Sequence, residues 1–151
     1  MGTFKSRLQT DLTEAIRSRD ELRSSTLRLT LTAVTNEEVA GKEARELSDA
    51  EVLKIVVREA KKRREAAEAF ELGGRAESAA RERAEGELLA GYLPKQLDDA
   101  ELKDIVAAAI AETGASGPSA MGQVMKVVRP KVGDRAEGGR IAAEIKSQLG
   151  S

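Results

Sequence analysis

The chain has 151 residues, 40% of them hydrophobic and 34% charged, yet its net charge is only −1. This is enough material for one ordinary domain or two small ones with a mixed, soluble surface, and no apolar run approaches the roughly 18 residues that span a membrane. With no His, Cys or Trp, the chain is denied Ser–His and Cys–His nucleophiles, histidine acid–base chemistry, disulfides, and histidine or thiolate metal sites.

Phe4, Leu8, Leu12 and Ile16 recur every four residues, the pattern of one apolar helix stripe. Asp20 can cap a second helix with Leu27, Leu31 and Val34 inward, and Gly41 marks a loop. Leu47-Ser48-Asp49-Ala50-Glu51-Val52 then carries a capping box, Ser48 with Glu51, and a staple of Leu47 onto Val52. The third helix is expected to run through Leu53, Val56, Ala60, Ala67 and Phe70 to the stop at Gly73-Gly74. A fourth, alanine-rich helix should bury Ala80, Ala84, Leu88 and Tyr92, weakened by Gly86 in its interior.

Pro94 lacks an amide proton and disfavours helical geometry at Leu93, so the fourth helix is expected to end there. Four residues on, the start signal repeats as Leu97-Asp98-Asp99-Ala100-Glu101-Leu102. Leu93 and Pro94 are therefore read as a hinge between an N-terminal domain, residues 1–93, and a C-terminal domain, residues 94–151. In the second part, a helix carrying Leu102, Ile105, Val106 and Ala109 stops near Gly114. Another follows Ser116-Gly117-Pro118 with Met121, Val124, Met125 and Val128 inward, and Pro130 is expected to end it. The last begins near Asp134 and buries Ile141, Ile145 and Leu149. No strand pattern competes, so the fold expected is all-α, with about four helices joined by a short proline elbow to a small three-helix domain.

The segments Ser25-Thr26-Leu27-Arg28-Leu29, Lys61-Lys62-Arg63-Arg64-Glu65, Tyr92-Leu93-Pro94-Lys95-Gln96-Leu97, Met121-Gly122-Gln123-Val124-Met125 and Pro130-Lys131-Val132-Gly133-Asp134-Arg135-Ala136 together resemble the GatB/YqeY family. The resemblance implies a two-domain helical protein of the stand-alone YqeY-like type. It also implies that the C-terminal part is similar to the tail domain of the aspartyl/glutamyl-tRNA amidotransferase B subunit, which helps hold tRNA. The family's label, carbon–nitrogen ligase with glutamine as amido donor, belongs to that larger enzyme. Its ATP cradle and the Ser–Ser–Lys segment of its amidase partner are not recognisable among these residues.

Lys126, Arg129, Lys131, Arg135 and Arg140 surround the last interhelix turn, and Gly133, Gly138 and Gly139 would let a second backbone come close. Such cations can neutralise phosphates, and folded RNA is read largely through shape and backbone, so a chain with three aromatics can still bind it. Lys54, Arg58, Lys61 and Lys62 share a face of the third helix. They read first as a salt-bridged outer face and second as another phosphate stripe. Residues 1–93 carry 17 basic and 18 acidic side chains and residues 94–151 carry 8 of each, so any RNA contact should be local. The expectation is a cytoplasmic, non-catalytic accessory protein for tRNA or other structured RNA, needing no cofactor or metal and assisted by a tRNA synthetase or amidotransferase partner. Participation in glutamine-dependent amidation and a purely protein–protein adaptor role are the alternatives.

Overall fold

The structure, a computed structural model, describes residues 3–150. Within that range every regular element is helical: α1 (Thr3–Arg17), α2 (Glu21–Glu38), α3 (Asp49–Leu72), α4 (Ala76–Ala90), α5 (Asp99–Thr113), α6 (Met121–Val132) and α7 (Gly138–Leu149), with short 3-10 turns at Pro118–Ala120 and Gly133–Arg135. The all-α reading holds. The helices gather into two compact units that divide between Leu93 and Pro94, and no described helix is long and apolar enough to cross a membrane.

In the first unit, Leu8, Leu27, Val34, Leu47, Val52, Ile55, Val56 and Leu89 form the core. The caps act as their residue types require. Asp20 accepts from the Arg23 N–H at the start of α2. Ser48 and Glu51 close a reciprocal capping box at the start of α3, which satisfies two otherwise orphaned donors. Asp49 also reaches across to α1, accepting from the Thr3 hydroxyl at 2.7 Å and the Phe4 N–H at 3.1 Å.

Two stripes differ from expectation. Ile16 is 48% exposed while Ala15 is fully buried. Steps of four residues advance about 40° beyond a full turn, so by the third step the position has drifted about 120° from Phe4. On α4 the buried positions are Ala79, Glu85 and Leu89, whereas Ala80 is exposed. The inward face there is partly ionic: Arg63 lies 3.5 Å from both Glu82 and Glu85, and Arg81 lies 3.2 Å from Glu85. Apolar periodicity cannot register a buried glutamate. Gly86 sits at this seam, where a Cβ would lie 3.5 Å from the Arg63 Cβ.

Helix α4 ends at Ala90, earlier than proline alone required. Tyr92 and Leu93 then turn back onto the first core. The Tyr92 hydroxyl donates to Asp11, the Arg7 guanidinium lies 4.7 Å from the Tyr92 ring centroid, and Arg23 stands 3.8 Å from Asp11. Leu93, one of the two proposed hinge residues, is thus a packed residue.

The second unit has its own core, including Leu97, Leu102, Val106, Val124, Val128, Val132, Ile141 and Ile145. Asp98 and Glu101 form its capping box, and Gly114 ends α5 with φ 65°, a conformation that favours glycine. Pro130 does not end α6, which continues to Val132. Proline removes one helical donor and clashes a turn back. Here that cost is offset by burial of Val132, only 1% exposed, and by Arg135, whose Nη2 donates to the Lys131 carbonyl at 2.6 Å and whose Nε donates to the Val132 carbonyl at 3.3 Å. The last helix begins at Gly138, four residues after the expected Asp134, because Gly133–Arg135 is occupied by the 3-10 turn.

Candidate nucleic-acid interface

The segment Pro94–Leu97 and the turn that follows α6 are far apart in sequence and hydrogen-bonded in space. Gln96 Nε2 donates to the Asp134 carbonyl at 2.9 Å and to the Pro94 carbonyl at 2.9 Å. The Leu97 N–H donates to the Arg135 carbonyl at 2.8 Å. Arg140, from the first turn of α7, donates to the Leu97 carbonyl at 2.9 Å and to Asp99 Oδ1 at 3.1 Å. Leu97 and Ala136 are buried in the same core beside these bonds. The residues that expose the basic turn are therefore held from both chain segments.

The five cations do not share one role. Arg140 is a clamp between α7 and the entry to α5. Arg135 caps the carbonyls that α6 leaves open, satisfying acceptors that a helix end otherwise orphans. Lys131 faces α5 and pairs with Glu112 at 3.0 Å. Lys126 and Arg129 are exposed and make no ion pair among the described residues. At about 100° per residue they stand about 60° apart on α6, with Lys131 about 140° from Lys126, so Lys131 belongs to a different side of the helix. Arg129 folds toward the start of α7, where a Cβ at Gly138 would come within 3.0 Å of its Nη2.

The glycines separate likewise. Gly133 has φ 57° and is required by the turn itself. Gly138 makes room for Arg129, and nothing stands within 4 Å of a Cβ at Gly139, which borders open space. At the start of α7, Glu137 provides no side-chain cap hydrogen bond to the helix.

The basic run of α3 divides as well. Lys61 pairs with Glu65 at 3.8 Å and Lys62 with Glu59 at 3.1 Å, while Lys54 and Arg58 are exposed and make no ion pair among the described residues. The exposed Lys61–Glu65 pair contributes about 0–1 kcal/mol, whereas the Glu59 partner of Lys62 is buried. Half of the run is thus the salt-bridged face that the charge spacing suggests. The described residues hold no group of three or more His, Cys, Asp or Glu placed to hold a metal ion.

An all-helical chain of two compact units, whose second unit closes on a basic turn, is the class that fold and geometry define. The Yqey-like protein family matches residues 5–149, and the chain belongs to that family. No protein of curated function matches the chain significantly in sequence.

Proposed function

We propose that this member of the Yqey-like family is a cytoplasmic accessory protein that binds folded RNA, tRNA above all, with the two units acting as separate domains. RNA is assigned to the α6–α7 turn of the second unit and a protein partner, such as a tRNA synthetase or an amidotransferase, to the first. The observation that carries the reading is the pair Lys126 and Arg129, both exposed and without an ion pair among the described residues, with Arg129 reaching the start of α7 at Gly138. Exposed cations near a helix N-terminus suit a phosphodiester backbone, and the released counterions supply the affinity. Lys131 and Arg140, already engaged by Glu112 and Asp99, contribute less.

Fluorescence anisotropy with bulk tRNA tests this. Binding at low salt is expected, weakened about tenfold or more by Lys126→Ala with Arg129→Ala and little by Lys131→Ala. Equal loss from all three substitutions, or none, contradicts the assignment. Incubation with glutamine, ATP and misacylated tRNA in the absence of other subunits separates the accessory role from amidation, since turnover would establish a catalyst.

A further inference from the structure

Lys95 is the second residue of the second unit. Tyr92 and Leu93 pack on the first core, whereas Gln96 and Leu97 are bonded within the second unit. Pro94 and Lys95 open the second unit, both exposed. Lys95 makes no ion pair or side-chain hydrogen bond among the described residues, although charge patterning by itself ranks it as one lysine among many.

What distinguishes it is the backbone on either side. Gln96 Nε2 takes both the Pro94 and the Asp134 carbonyls at 2.9 Å, so a single side-chain amide ties the peptide preceding Lys95 to the turn following α6. One residue on, the Leu97 N–H bonds the Arg135 carbonyl at 2.8 Å. Lys95 is thus fixed at its backbone within one residue of a two-point attachment to the basic turn. We propose that Lys95 is a further phosphate-contacting residue of the RNA surface, and that Gln96 is the positioning residue that carries it there. This extends the RNA reading given above and rests on it. The partner chemistry is the phosphodiester backbone of a folded RNA, which a lysine meets as a point charge without reading sequence.

Three single variants of the full chain test it by anisotropy with bulk tRNA across a salt series, beside the Lys126→Ala, Arg129→Ala double variant. Lys95→Ala is expected to weaken binding about three- to tenfold at low salt and to reduce the slope of log K against log salt by about one, uniformly across tRNA species. Lys95→Arg should retain both. Gln96→Ala, which removes no charge, should weaken binding while leaving the high-salt limit unchanged, and melting curves establish that each variant is folded. If the double variant loses affinity and Lys95→Ala does not, the Lys95 assignment is wrong and the RNA surface stands without it. If Gln96→Ala binds as the parent does while Lys95→Ala is impaired, the positioning role is wrong. If the parent chain binds no tRNA at low salt, both the RNA reading and this extension of it fall.

Discussion

Replacing Arg140 with alanine separates a structural cation from a binding one. Its Nη2 reaches two acceptors, the Leu97 carbonyl at 2.9 Å and Asp99 Oδ1 at 3.1 Å. The Asp99 side chain is fully exposed while that of Arg140 is 34% exposed, so the ion pair is screened and contributes about 0–1 kcal/mol. The bond to Leu97 is part-buried and charge-assisted, and hydrogen bonds to charged groups contribute about 1.5–3 kcal/mol, with this half-exposed one at the low end. Arg140→Ala should therefore cost about 1–2 kcal/mol, most of it through Leu97. For a unit of this size, about 1 kcal/mol moves the melting temperature by about 4–8 °C. Thermal unfolding of the full chain by circular dichroism should show a clear drop for Arg140→Ala and a distinctly smaller one for Asp99→Ala, as befits an exposed partner. Equal losses would place the energy in the ion pair and refute the reasoning, as would an unchanged melt for Arg140→Ala.

Gly86→Ala should stabilise the protein by up to about 1 kcal/mol in urea denaturation, because the added Cβ meets the Arg63 Cβ at an ordinary 3.5 Å; destabilisation would mean that the α3–α4 seam cannot accept a methyl group. The Arg45 guanidinium, followed by the Ser48 N–H, holds the Glu51 carboxyl down to about 2 from its ordinary 4.5. Its depressed value stabilises the fold fully above about pH 4.5, and this is lost as pH falls toward about 2. Glu51→Gln should flatten the acid limb of stability against pH in that window, and an unchanged limb would contradict the pairing. Burial, then the hydrogen bond to Asp11, raises the Tyr92 phenol above its ordinary 10.0. The neutral form is favoured in the fold, so the stability present below pH 10 is lost as pH rises through the raised value. Tyr92 is the only tyrosine and there is no tryptophan, so absorbance at the phenolate band reports it alone; ionisation at or below pH 10 would contradict the part-buried hydrogen bond to Asp11.

Local signals were legible where one chain segment contains the whole device. The two capping boxes, Ser48 with Glu51 and Asp98 with Glu101, need only four consecutive residues and form as read. The Gly114 stop is of the same kind. Devices that join distant segments were not legible. Glu85 is inward because Arg63 and Arg81 meet it from α3 and α4, so apolar spacing finds Leu88 and Tyr92 but misses Glu85 and wrongly includes Ala80. Proline's own chemistry makes Pro130 a stop, but Arg135 and the buried Val132 carry the helix past it. The basic cluster around the last turn was visible as composition, while its division among clamp, cap, ion pair and uncompensated charge depends on Glu112, Asp99 and Leu97, far away in sequence.

The most direct test of the account is the salt dependence of tRNA affinity for the parent chain and for the Lys126→Ala, Arg129→Ala variant. Neutralised phosphates release counterions in proportion to the contacts made. The parent should bind at low salt with a steep slope of log K against log salt, and the variant should lose about two from that slope while melting as the parent does. Equal slopes, or a parent that leaves tRNA free at low salt, would contradict it.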